Sequence, residues 1–204
     1  MTDVSAYHSR LPYGERVSSE PVRNYRFFPF DGDFQVVPLD RPEIPEPPRM
    51  GEAGGEPCAM CADPDQNLVW RNADWMLHTS GDPIGLPMIL MLSPVQHVTL
   101  HTMPDDLAAS WGPMIRRVAM AIGKIPGVGR VHFHRYGDGA EHFHMWFLAR
   151  PLGMMQLRGP MLAIWDDLLP HLPDDELKAN LRIVADALEG GAAPLAGEGD
   201  LVER

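Results

Sequence analysis

Residues 131–148, VHFHRYGDGAEHFHMWFL, hold four of the nine histidines of the chain. They fall in two pairs, His132 with His134 and His142 with His144. In an extended chain, side chains two positions apart share a face. Each pair therefore projects to one side, and Val131, Phe133, Phe143, Met145 and Phe147 take the other. The intervening YGDGA is glycine-rich and predicts a hairpin turn. Such a hairpin would let the two imidazole pairs meet across one sheet face. Imidazole offers two chemistries here, metal ligation and nucleophilic attack.

The two cysteines, Cys58 and Cys61, are the whole thiol supply. In a reducing compartment, C-x-x-C is a metal half-site or a redox pair sooner than a structural disulfide. Zinc favours four thiolate and imidazole ligands in a tetrahedron. Two histidines must complete such a site. His97 follows Ser93-Pro94 where a strand should end, and His142 opens the second arm of the hairpin. His101 competes with His97 if that segment is helical. With Cys58, Cys61, His97 and His142 on a metal, His144 is left as the free imidazole. It can attack phosphorus if one nitrogen is held as N–H by an acceptor and the other stays open. His132 and His134 either line a polar sheet face or complete the pocket with Arg135, Tyr136 or Arg150. A second metal site on His132, His134 and His144 is a further possibility. His8, His78 and His171 are isolated and read as ordinary core or surface residues.

These side chains need a scaffold. A chain of 204 residues with 45% hydrophobic residues can build one domain with appendages. Its formal net charge of −11 disfavours binding to polymeric nucleic acid or to anionic membranes, although a mononucleotide needs only a local site. No run has the length of a membrane span, and the first residues lack a signal-peptide core, so a cytoplasmic location is expected.

Residues 1–57 read as an N-terminal extension and linker. YRFFPF and FQVVPL, separated by DGD, suggest a short hairpin, and RPEIPEPPRMGEAGGEP has linker composition. The dense domain spans 58–151. NLVWRNADWMLHTS predicts two short strands with a turn at 71–74, and LPMILML predicts a buried strand. Pro104-Asp105-Asp106 starts a helix carrying Leu107, Trp111, Met114, Val118 and Ile122 at helical spacing, and Gly112-Pro113 should kink or restart it. Residues 152–190 read as a helical extension, with helices over 161–169 and 173–188. Residues 191–204 have the composition of a disordered tail. The fold class is α+β.

The span from Cys58 to Pro151 resembles the histidine-triad superfamily, closest to its galactose-phosphate uridylyltransferase-like branch. The matching pieces come in the family's order. They are Cys58-Ala-Met-Cys61, a strand ending in Pro94-x-x-His97, the long helix over 104–122, and EHFHMWFLAR. The last is like the family's H-φ-H-φ-H-φ-φ-P-R signature, with Arg150 at its closing arginine. The resemblance implies an antiparallel sheet with a long helix after the P-x-x-H strand. It implies a structural zinc on Cys58, Cys61, His97 and His142, and His144 as the nucleophile. It also implies a phosphorylated, nucleotide-like substrate and a homodimer.

The chain departs from the family in three places. Trp146 stands where the third triad histidine, or glutamine in the transferase branch, is expected. The polar loop before the triad is shortened to GDGAE, and Glu141 adds negative charge beside His142. Trp146 offers one N–H and a large apolar face that could stack a ring. The first expectation is a nucleotide hydrolase or transferase acting through His144, with His132, His134, Trp146 and Arg150 on the substrate. The alternatives are a zinc-stabilised ligand-binding or interaction module that has lost nucleotidyl transfer, and an enzyme using the histidine face for acid–base chemistry.

Overall fold

The structure is a computed structural model that describes residues 11–19, 28–32 and 34–190. A short helix α1 (Ala59–Ala62) precedes strands β1 (Leu68–Arg71), β2 (Trp75–His78) and β3 (Ile89–Pro94). Helix α2 (Asp105–Ile122), strands β4 (Val128–His134) and β5 (Met145–Pro151), and helices α3 (Leu162–Leu168) and α4 (Asp174–Glu189) follow. The strands form one five-stranded sheet in the order β1-β2-β3-β5-β4, and every neighbouring pair is antiparallel. The α+β architecture expected from the sequence is therefore present. So is the long helix after the strand that carries Pro94.

Alternation along β3 and β5 divides the interior. Leu90, Leu92, Met145, Phe147 and Ala149 join the main core with Leu107, Met114, Val118, Ala121 and Ile122 of α2. Val184 and Leu188 of α4 close that core, and the Arg117 guanidinium donates to the Leu188 carbonyl at 2.7 Å. The opposite parity, Ile89 and Leu148, builds a smaller cluster with Leu162, Leu157, Ile84 and Leu86. Both sheet faces are thus covered, and the second is covered by the C-terminal extension.

The turn between β1 and β2 lies at 71–74 as expected. Asn72 Oδ1 accepts from the backbone N–H of Asp74 and of Trp75, at 2.9 and 2.7 Å, the local bond that makes asparagine a turn residue. Three expectations need correction. First, α2 runs unbroken through Pro113. Pro113 and Ala109 lie on the exposed side of the helix. The Ala109 carbonyl that loses its N–H partner can meet water there, while the buried stripe keeps the helix continuous.

Second, β4 and β5 are not joined by a tight turn, because residues 135–144 lie between them. His132 stands opposite Leu148 and His134 opposite Trp146. The histidine pairs are therefore offset along the sheet and do not face one another. Third, 28–32 and 34–39 form no ladder with each other, and Leu39 instead bridges Tyr13. The rest of that expected N-terminal hairpin, like the tail 191–204, lies outside the described residues.

The packing of α3 depends on one carboxylate. Asp166 Oδ1 accepts from the N–H groups of Gly85 and Leu86, at 2.7 and 2.8 Å. A Cβ at Gly85 would lie 2.6 Å from the Asp166 carbonyl oxygen, so the segment approaches α3 as closely as glycine permits. Asp166→Ala should leave two amides without an acceptor and cost about 1–3 kcal/mol. Asp166→Asn, which keeps an oxygen, should cost clearly less. Urea unfolding of the two variants measures this; equal losses would show that the acceptor is not what matters.

Candidate metal centre and active site

The Pro/Gly-rich segment and the C-x-x-C knuckle meet the sheet at one point. Cys58 precedes α1 and Cys61 lies within it. His97 follows β3, and His142 lies in the 135–144 connection. One ligand atom from each of these four residues lies within 4.8 Å of every other. Cys58 Sγ is 3.5 Å from His142 Nδ1, and Cys61 Sγ is 3.2 Å from His97 Nδ1 and 3.6 Å from His142 Nδ1. A tetrahedron with bonds of about 2.3 Å to sulfur and about 2.0–2.1 Å to nitrogen has sulfur–nitrogen edges of about 3.6 Å. The donor set and its spacing therefore fit a four-coordinate metal. His101 stands outside this cluster.

Both imidazoles are oriented by their second nitrogen. His142 Nε2 lies 2.9 Å from the Pro94 carbonyl oxygen. A carbonyl only accepts, so Nε2 carries the proton and Nδ1 presents its lone pair to the cluster. His97 Nε2 lies 3.3 Å from Glu141 Oε2, a carboxylate partner that fixes the same tautomer. Burial, opposed by the bond to Pro94 and helped by His97, His144 and His78, holds His142 below the ordinary histidine pKa, in the neutral form that a ligand needs. Burial and the neighbouring Cys58 push the Cys61 thiol up to about 11, so loading a cation must displace protons from sulfur.

Neighbours sequence reasoning did not assign complete the cradle. The Glu141 N–H donates to the Met50 carbonyl at 2.8 Å, and Met50 N–H to Gly139 at 3.3 Å. Arg49 reaches the Gly137 carbonyl at 2.7 Å. At Gly51, φ is +93° and a Cβ would stand 2.8 Å from His97 Cε1, so only glycine fits. The end of the linker is thereby tied to the 137–141 loop. Glu141 was legible in one respect: a ligating histidine needs an acceptor on its other nitrogen. Residues 141–144 lie outside the strand, so strand alternation does not set the direction of Glu141.

His144 is buried, and its Nδ1 lies 2.9 Å from the His142 carbonyl oxygen. By the same logic Nδ1 carries the proton and the Nε2 lone pair is free. Trp146 follows two residues later, its ring at 6.4 Å and 87° to that of His144. His132 and His134 share this sheet face through their pairing with Leu148 and Trp146. Both are held below the ordinary histidine pKa, first by burial, then by Arg150 for His132 and by His132 for His134. Arg150 is buried and donates to the carbonyls of Pro151 and Met154, both at 3.2 Å, at the turn that follows β5. Among the described residues no second group of three metal-binding side chains is gathered, so His132, His134 and His144 do not form one. His78 fastens the loop after α1, with Nε2 3.0 Å from the Pro64 carbonyl oxygen.

The four-ligand cluster, the helix that follows the P-x-x-H strand and a free imidazole beside the cluster occur together on one antiparallel sheet. The fold is histidine-triad-like. No family model matches the chain, and no curated protein does. Solved structures similar to the histidine-triad-like chain include a hypothetical histidine triad nucleotide-binding protein from Sulfolobus tokodaii. It is 12% identical with a TM-score of 0.48, over 65% of this chain and 93% of that one. A Zn-bound histidine triad family protein from Mycobacterium smegmatis is 16% identical with a TM-score of 0.44, over 65% of this chain and 94% of that one. A uridylyltransferase is 17% identical with a TM-score of 0.46, over 67% of this chain, and the match spans 45% of its length. No described helix is long and apolar enough to cross a membrane.

If Glu141 steers His97, Glu141→Gln should weaken metal retention by about 10–100-fold against a competing chelator, with the fold unchanged by circular dichroism. Unaltered retention would exclude Glu141 from that role.

Proposed function

We propose that this histidine-triad-like chain is an enzyme acting on a nucleotide or a related phosphorylated metabolite, with His144 as nucleophile and a structural zinc on Cys58, Cys61, His97 and His142. The observation that carries the reading is the 2.9 Å bond from His144 Nδ1–H to the His142 carbonyl, which leaves Nε2 as the open, nucleophilic nitrogen. In the proposed step the Nε2 lone pair forms a bond to phosphorus. The bond from phosphorus to the leaving oxygen breaks, and that oxygen takes the electron pair. Water or a second acceptor then breaks the N–P bond, which makes the enzyme a hydrolase or a transferase respectively.

A zinc held by Cys58, Cys61, His97 and His142 would take no part in these steps and would brace the segment that holds His144. His132 and His134, neutral on the same face, are suited to hydrogen bonds rather than to charge. Trp146 offers a surface for stacking, and Arg150 supplies positive charge behind His132. The strand β4 lies at the sheet edge and leaves Phe133 51% exposed, which supports a homodimer. The free thiols suit the cytoplasm.

One feature favours a second reading, a ligand-binding module without transferase activity. Trp146 occupies the third triad position, and the cleft beside it is lined by Asp82, Asp166 and Asp167 and by no lysine or arginine.

Elemental analysis of the purified protein should find about one zinc per chain. Incubation with labelled nucleotides and nucleotide sugars should yield an acid-labile protein adduct that is absent in His144→Ala. An adduct that persists in that variant would remove His144 from the mechanism. Binding without any adduct would favour the module.

A further inference from the structure

The sheet face that carries His144 continues past the nucleophile into a cleft of about 350 Å³ between the sheet and α3. One side of the cleft is aromatic, built by Trp146, His134 and Tyr136. The rings of His134 and Tyr136 pack at 4.7 Å, and Tyr136 is 63% exposed. The opposite rim carries the carboxylates of Asp82 and Asp167. Among the described residues neither is in an ion pair. Asp166 also borders the cleft, but its Oδ1 already serves the amides of Gly85 and Leu86. No lysine or arginine lines the space.

Such a lining repels phosphate. It attracts an ammonium group twice, by unpaired carboxylates on the rim and by the negative faces of the aromatic rings. A neutral heterocycle would use the rings and leave the carboxylates unanswered. We propose that this cleft binds an organic cation, an amine- or quaternary-ammonium-bearing group, and that this group is the non-phosphoryl part of the substrate. The second half of that statement rests on the reading of His144 as nucleophile; the first half does not. Since the His144 and Trp146 rings are 6.4 Å apart, a cation over Trp146 needs only a short linker to bring its phosphorus to His144.

Isothermal titration of the full chain with choline, and with its uncharged isostere 3,3-dimethylbutanol, tests the cleft directly. Choline should bind at least about tenfold more tightly than the isostere, and the difference should shrink in high salt. Asp167→Asn, an exposed change that leaves the core alone, should weaken choline severalfold, and Trp146→Leu should abolish the preference. His144→Ala should bind choline as the parent does. Equal binding of the two probes, or no binding of either, overturns the cation site even where adduct formation at His144 is intact. Choline binding without any adduct from phosphorylated compounds supports the cation site and counts against the transfer chemistry alone.

Discussion

His142 is the residue through which the four-ligand cluster, the sheet and the free imidazole of His144 are coupled. Its Nδ1 faces two sulfurs, its Nε2–H is tied to the Pro94 carbonyl at the end of β3, and its own carbonyl holds the Nδ1–H of His144. The three contacts are directional. The bond to Pro94 selects the tautomer that can ligate. A bound metal would add to the backbone bonds from Glu141 to Met50 and from Phe143 to Val98 that hold the 141–144 segment outside the strand. Only a fixed backbone can present its carbonyl to His144 and keep Nε2 open. A metal placed there would act by restraining a loop.

This arrangement explains why an apparently unstructured linker is part of the site. The 135–144 connection cannot be a tight hairpin, because His142 must reach back to the knuckle and His144 must stay on the sheet. A loop of that kind needs support from outside the sheet, and Arg49, Met50 and Gly51 provide it through backbone bonds and one close approach to His97. The composition of residues 41–57 forbids a core but allows such contacts. Low hydrophobicity therefore said nothing about whether the segment was fastened.

The parts of the fold that were legible in the sequence are those where one local rule dominates. Strand parity put Phe143, Met145 and Phe147 opposite the histidines, where the main core takes them up, and the asparagine in the 71–74 turn behaved as its side chain dictates. The ligand set was legible because few side chains can hold a soft cation, and their order along the chain narrowed the choice. Pro113 did not end the helix because the carbonyl it leaves without a partner faces water, where the lost bond costs least. The direction of Glu141 was not legible, because residues 141–144 lie outside the strand and alternation does not govern them. The covering of the second sheet face was not legible at all. The apolar stripe of a helix says that it must be buried, and not against which surface.

That covering gives the site its character. The main core on the α2 side is apolar and closed, whereas α3 meets the other face across a gap with carboxylates on its rim. Asp166 is spent on holding α3 against the chain at Gly85, and Asp167, next along the helix, is left exposed at the cleft. The same short helix that seals Leu148 from water therefore sets the sign of the potential beside Trp146. A third triad histidine on this strand face would add a hydrogen-bonding group suited to phosphate oxygens. Trp146 replaces that capacity with an aromatic face, on the one surface where the neighbouring charges are negative. The departure at Trp146 and the acidity of the cleft are thus consistent with one another. Together they fit the proposed organic-cation ligand.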